Sequence, residues 1–244
     1  MDKFKLLKRV ENKEDKMLLS NILDKLESYN KNGISNCTNF LDIRTLKLIE
    51  DILKFIKEPY NVYKPNEECE KSIIYFGENE KFITIYKIDG EFKHQEILGT
   101  LFSMGIEIDQ IGDIFIDDGY AIITVLTKLK KLFESSFYSI GNKRVRIEEI
   151  EELNVERKFE NINIIIPSFR LDCIVQKLAN KGRNDAQKLI KEGLVLVNYQ
   201  VVTNNKNINI KDVISIRKVG KFIIDEELTK TKKDNFLISV KKYM

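Results

Sequence analysis

The apolar pattern of this chain changes period part-way along, and that change excludes both an all-helical and an all-β fold. Met17, Leu18, Ile22, Leu23 and Leu26 recur at helical spacing, which predicts a helix from Glu14 to about Tyr29 stopped by Asn32-Gly33. Ile43, Leu46, Ile49, Ile52, Leu53 and Ile56 share one face of a second helix from Asp42 to Ile56, which Pro59 ends. The segment Tyr60 to Lys71 is polar, holds Pro65 and reads as a linker or extended loop. Beyond it, Ser72–Phe76 and Phe82–Lys87 are short runs rich in Ile and aromatic residues. Gly77-Glu78-Asn79-Glu80 between them predicts a hairpin.

A helix from His94 to Met104, closed by Gly105, follows. Strands Ile111–Ile116 and Ala121–Val125 flank the turn Asp117-Asp118-Gly119. A helix from Thr127 to about Ile140 and strands Arg144–Ile150 and Ile162–Ile166 complete an α+β layer with helices on one sheet face. After Pro167-Ser168, helices at Leu171–Ala179 and Asp185–Glu192 precede short strands at Val195–Val197, Val213–Arg217 and Phe222–Ile224. The tail from Asn235 to Met244 adds one more strand. For 244 residues, two domains or three small ones are expected, and the order of elements favours three: residues 1–70, 71–166 and 167–244.

With 43% hydrophobic and 32% charged residues, the chain can bury packed cores and keep its surface wet. No run approaches the ~18 apolar residues that cross a bilayer, and the opening MDKFKLLKRVENKEDK is too charged for a secretion signal, so a cytoplasmic location is expected. Cys37, Cys69 and Cys173 are odd in number and widely spaced, which suggests neither a disulfide framework nor a paired-cysteine zinc site. The abundance of Lys, Ile and Asn is assigned to coding-DNA composition, and isolated lysines carry no weight.

Charge is unevenly placed. Residues 168–244 hold 16 Lys and Arg against 8 Asp and Glu, whereas the preceding chain holds 25 against 30. A positive end on a mildly acidic chain fits a phosphate-rich partner, and no amphipathic anchor points to a membrane instead. Arg170 begins the first C-terminal helix. In the second, Arg183 opens the first turn and Lys188 and Lys191 follow one and two turns on, which suggests one cationic edge. Arginines on a rigid helix displace the counterions of folded RNA and can grip a phosphate with two donors.

Arg170-Leu171-Asp172, then Arg183, Ala186, Lys188, Ile190, Gly193, Val195, Val197-Asn198, and later Asp212-Val213-Ile214 with Gly220-Lys221-Phe222, resemble the S4 RNA-binding domain. Gly182 stands where Ser commonly precedes the second Arg, and Lys211 where Gly is usual before Asp212. These departures touch helix capping and a turn and remove no cation. Upstream, Thr38-Asn39-Phe40-Leu41-Asp42-Ile43-Arg44, Phe76-Gly77, His94-Gln95-Glu96-Ile97-Leu98-Gly99 and Ile111-Gly112-Asp113-Ile114 resemble segments of the bacterial YlmH-type S4 proteins.

The resemblance implies an N-terminal helical domain, a middle RNA-binding-like α+β sandwich and a C-terminal S4 (alpha-L) domain. It implies a non-catalytic factor without cofactors, monomeric when free. Its expected partners are ribosomal RNA and tRNA on a large ribosomal subunit carrying a stalled peptidyl-tRNA, in ribosome-associated quality control. Arg170 and Arg183 are the principal RNA contacts it implies. The wider candidate set is Asp172, Lys181, Lys188, Lys191, Asn198, Lys218 and Lys221. Lys128, Lys130, Lys131, Lys143, Arg144 and Arg146 suggest a second RNA surface, weighed against a merely solvated face.

Other readings compete. Arg170-Leu171-Asp172 also resembles the catalytic Arg-Leu-Asp of pseudouridine synthases, but Cys173-Ile174-Val175 is not that motif's continuation, and Asp172 is better read as capping or salt-bridging its own helix. His94, the single histidine, has no nucleophile elbow and reads as structural. Gly77, Gly99, Gly105 and Gly112 match no phosphate-binding spacing, and Asp117-Asp118 reads as a turn before a metal site. The apolar face of the first two helices, with Leu23 and Leu46, reads as core. A regulator linked to cell division or membranes would need an anchor that the sequence does not offer.

Overall fold

The computed structural model describes residues 3–78 and 81–243. By its contacts the chain divides into two compact units, Met1–Glu156 and Arg157–Met244. Each unit is mixed helix and sheet.

In the first unit, α1 (Lys3–Leu7) precedes α2 (Lys13–Asn32). Asn12 caps α2, its Oδ1 accepting from the N–H groups of Glu14 at 2.7 Å and Asp15 at 3.3 Å. Gly33 closes the helix in the left-handed conformation (φ 69°), its N–H bonding the Tyr29 carbonyl. Leu19, Ile22, Leu23 and Leu26 are buried, whereas Met17 is 62% exposed, so helical spacing assigned it one face too many.

After β1 (Asn36–Cys37), α3 (Ile43–Ile56) starts at Asp42, whose side chain accepts from Thr45 N–H at 2.7 Å. It stops at Lys57, itself left-handed (φ 57°), two residues before the proline expected to end it. Ile49, Ile52 and Leu53 join the α2 residues in one core, and Arg44 bonds Asp15 through both terminal nitrogens at 2.8 and 2.6 Å.

Two expectations are revised next. The stretch Tyr60 to Lys71 is a packed segment and not a free linker: residues 64–71 keep the loop form, but the stretch begins with β2 (Asn61–Tyr63), which pairs with β3 (Ile73–Phe76), and it buries Cys69. Asn66 Nδ2 donates to the Leu153 carbonyl at 2.6 Å, and the N–H groups of Glu70 and Lys71 both reach Asp113 Oδ2 at 3.0 Å. Nor does β3 form a hairpin with β4 (Ile83–Asp89). β3 lies between β1 and β2, while β4 joins another sheet. Both strands are buried on both faces, so no local alternation marked their partners. Asn79 and Glu80 of the expected turn lie outside the described residues.

That other sheet contains β4 with β5 (Ile111–Asp117), β6 (Tyr120–Leu126) and β9 (Ile147–Ile150), in the antiparallel order β5-β6-β4-β9. The Asp117-Asp118-Gly119 turn joins β5 to β6 as expected, with Tyr120 Oη donating to Asp117 Oδ2. α4 (His94–Ser103) and α5 (Lys130–Ser136) place Ile97, Leu101 and Phe133 against Tyr86, Ile88, Ile123 and Val125. A second cluster gathers Phe40, Ile73, Ile83, Ile85, Ile122 and Leu126. The helix expected over Thr127–Ile140 is shorter, giving way after Ser136 to β7 (Ser139–Ile140), which pairs with β8 (Lys143–Arg144). The single strand expected over 144–150 is thus divided between β8 and β9.

Gly112 is required by close approach. A Cβ there would meet Thr124 Oγ1 at 2.1 Å and the Phe40 ring at 2.7 Å. Gly112→Ala is expected to cost about 1–3 kcal/mol through overpacking, read as a lower denaturant midpoint. An unchanged midpoint would show that Phe40 can yield.

In the second unit, β10 (Phe159–Ile166) pairs along its whole length with β15 (Phe236–Tyr243). The strand expected at Ile162–Ile166 therefore belongs to this sheet and not to the middle one. Its inward Ile164 and Ile166 complete the same core as Ile238 and Val240. Between them run α6 (Leu171–Leu178), α7 (Arg183–Lys191), β11 (Val195–Val197), β12 (Gln200–Val201), β13 (Val213–Ile216) and β14 (Gly220–Lys230), giving the sheet order β10-β15-β14-β13-β11-β12. α6 and α7 pack Leu171, Ile174, Val175, Ala186 and Ile190 onto its inner face.

Candidate nucleic-acid interface

α6 begins at Arg170, whose own side chain does not cap it. A remote residue takes that place: Asn205 Oδ1 accepts from Asp172 N–H at 3.1 Å, satisfying a donor that every helix start leaves open. The Leu171 N–H bonds the Lys206 carbonyl at 2.9 Å and the Ile208 N–H the Phe169 carbonyl at 2.8 Å. Arg170 and Asn207 form an antiparallel bridge. The 205–208 segment is thereby latched to the head of α6.

Asp172, in the first turn of α6, is fully buried. Its Oδ1 accepts from Arg170 Nε at 3.1 Å and Cys173 N–H at 3.0 Å, and its Oδ2 from an Arg170 terminal nitrogen at 3.0 Å and Gln187 Nε2 at 3.4 Å. Arg183, the first residue of α7, places a terminal nitrogen 3.7 Å from Oδ2. Hydrogen bonding from Arg170 holds the carboxyl well below the usual carboxylate range, with Asn205 and Gln187 adding to it and outweighing the opposing effect of burial. The side chains of Arg170 and Arg183 remain 47% and 62% exposed. Two cations from different helices are thus fixed around one buried anion. Arg170 uses two of its five donors on Asp172, and the rest can bind phosphate.

Residues 169–214 match the S4 domain family, and residues 67–154 match the family described as "Putative RNA-binding domain in YlmH". The chain carries a YlmH-type RNA-binding domain and an S4 domain. It is 26% identical over 164 residues to the Ribosome-associated protein quality control protein P2 of Bacillus subtilis (strain 168). That similarity spans 66% of this chain and 61% of the relative, less than two thirds of the relative's length. A solved structure titled Cell division protein ylmH from Streptococcus pneumoniae aligns with 58% of this chain and 94% of its own, at 20% identity and a TM-score of 0.49.

Within the S4 domain, the remaining expected residues are dispersed. Lys181 is exposed in the loop joining α6 to α7, and Gly182 occupies the cap position of α7 without a side-chain bond. Lys188 does not join the cluster: five residues along a helix turn it about 140° from Arg183, and its Nζ lies 3.9 Å from Glu192. Lys191 ends α7, exposed. The structure thus brings Arg170 and Arg183 together across two helices and turns Lys188 away from them.

Asn198 is held in a turn: its Nδ2 donates to Asp212 Oδ1 and its Oδ1 accepts from Val213 N–H, both at 2.9 Å. Lys211 is left-handed (φ 72°), the conformation that makes Gly usual there. Lys218 sits in the β13–β14 turn at φ 64°. Lys221 Nζ lies 4.5 Å from the ring centroid of Tyr199 and 4.8 Å from that of Tyr243, and donates to Tyr199 Oη at 3.3 Å.

Tyr199 is the one aromatic among the non-glycine residues at positive φ in the described chain (φ 65°). The left-handed conformation costs an L-residue about 1–2 kcal/mol. The cation–π contact with half-buried Lys221 returns about 0.5–2 kcal/mol, of the same order as that cost.

In the YlmH-type domain and its flanks, Lys128 Nζ donates to Asn39 Oδ1 at 3.1 Å, and Lys143 Nζ to the Glu91 carbonyl at 3.1 Å. Lys130 pairs with Glu149, whose carboxyl is held low by Lys130 first and Lys81 second. Lys131, Arg144 and Arg146 are exposed. Half of this expected surface thus engages atoms of the first unit itself.

Asn205, Gln187, Tyr199 and Tyr243 escaped the sequence reading. Asn205 lies in Asn204-Asn205-Lys206-Asn207, where assigning asparagine to base composition concealed a capping residue. Gln187, four residues after Arg183, was detectable as its helix neighbour.

Proposed function

We propose that this chain is a non-catalytic RNA-binding factor that associates in the cytoplasm with the large ribosomal subunit and peptidyl-tRNA during ribosome-associated quality control. The observation that carries this reading is the Asp172-centred pair, Arg170 and Arg183, presented by two packed helices to solvent. Rigid, partly exposed guanidinium groups lose little freedom on meeting a phosphate. The two RNA-binding domain matches and the name of the Bacillus subtilis relative support the same reading. Burial of Asp172 beneath Arg170 weighs against a pseudouridine synthase, whose aspartate must reach a base.

The test is sedimentation of the full chain with purified ribosomal subunits, with and without bound peptidyl-tRNA. The chain is expected to travel with the large subunit and to be retained better when peptidyl-tRNA is present. Sedimentation with membrane vesicles instead would overturn the reading. Mass mapping of ribosomal RNA from a deletion strain is expected to show every modification intact, and the loss of one would favour an enzyme.

A further inference from the structure

The contacts around Tyr199 form a row. Tyr199 stands in the β11–β12 turn, Lys221 near the start of β14, Tyr243 at the end of β15 and Arg157 just before β10. Lys221 Nζ lies over both tyrosine rings, the Arg157 guanidinium lies 5.2 Å from the Tyr243 ring centroid, and Phe159 packs edge-on against Tyr243 at 5.0 Å. Strand alternation separates this row from the helices. Phe222, Ile224 and Val240 point into the core shared with α6 and α7, and Lys221, one residue from Phe222, takes the other face. Tyr199, Lys221 and Tyr243 are all half-buried there.

Aromatic rings and cations thus alternate across the sheet, and one of those rings is held in a backbone conformation that glycine would adopt without strain. A phosphate alone would need only the cations. A nucleobase needs a flat π face beside a cation for its phosphate, which is the chemistry by which sheets take unpaired RNA.

We propose that Tyr199, with Lys221 and Tyr243, is a stacking platform for an unpaired RNA base, separate from the arginine pair on the helices. This rests on the RNA-binding reading above and adds single-stranded RNA to the structured RNA gripped by Arg170 and Arg183.

The chain contains no tryptophan, so Tyr199→Trp installs a single indole reporter at the platform. Titrating the full-length variant with a labelled oligoadenylate of about twelve nucleotides is expected to quench indole emission in step with the rise in anisotropy of the label. A fully paired hairpin RNA is expected to bind without that quenching. Tyr199→Gly is expected to weaken oligoadenylate binding about tenfold while leaving the unfolding midpoint unchanged or higher, because the strain is relieved. Tyr199→Phe keeps the affinity. Binding of the oligonucleotide without quenching, or at wild-type affinity in Tyr199→Gly, overturns the platform alone. Failure to bind either RNA at low salt overturns the RNA-binding reading as well.

Discussion

Replacing Arg170 and Arg183 together by alanine is expected to weaken association with folded ribosomal RNA by at least tenfold at moderate salt. It should also reduce the slope of log affinity against log salt by about 1.4 to 1.8, the release of two phosphate counterions. Each single variant should lose about half of that slope. The pair stands out because both guanidinium groups converge on Asp172, with Arg170 bonded through two nitrogens and Arg183 at 3.7 Å. Arg170→Lys should rescue little, since an ammonium cannot bond the carboxylate through two nitrogens and still present a planar donor edge. The measurement is fluorescence anisotropy over a salt series, with circular dichroism to confirm that each variant is folded. An unchanged slope in the folded double variant would reject the assigned face.

Asp172→Ala sets two effects against each other. Removing a carboxylate raises the local positive charge, and long-range electrostatics alone would then predict tighter RNA binding. Loss of the anchor frees the arginines to wander, so orientation predicts weaker binding. Weaker binding, by several-fold, is the expected result, because Asp172 makes its bonds fully buried whereas the RNA field is screened within roughly 10 Å at ordinary salt. Tighter binding would show that the carboxylate only dilutes the cationic face.

The same variant should lower stability by about 2 kcal/mol. That is below the ~3–5 kcal/mol seen when a buried charge is stranded, since the remaining arginines are 47% and 62% exposed and regain water. The effect has a pH signature. A carboxyl held below its unfolded value stabilises the fold above that value, near 3.8, and the contribution fades as pH falls below it. The gap between the wild-type and Asp172→Ala unfolding midpoints should therefore be widest near neutrality and narrow in acid. A gap that persists unchanged well below pH 3.8 would show that Asp172 acts by packing alone.

Much of this molecule was legible because the relevant forces are local. The helices over Glu14–Tyr29, Asp42–Ile56, Leu171–Ala179 and Asp185–Glu192 declare themselves through apolar spacing, as does the β5–β6 hairpin through Asp117-Asp118-Gly119. The two arginines were legible too, as cations at the heads of two short helices. Strand partners were not. The apolar runs at 73–76, 83–89 and 159–166 carry no mark of which neighbour they will meet, because backbone hydrogen bonds are the same for every residue type.

The sequence by itself determined the α+β class, the positive C-terminal unit and the candidate Arg170 and Arg183, all of which depend on the order and chemistry of side chains. Only the tertiary structure decided that residues 159–166 complete the C-terminal sheet, that Asn205 caps α6 from 33 residues away and that Lys188 stays apart from the arginine pair. Those outcomes depend on which distant groups can bury or bond one another at once. That is a property of packing in three dimensions, which no local pattern encodes.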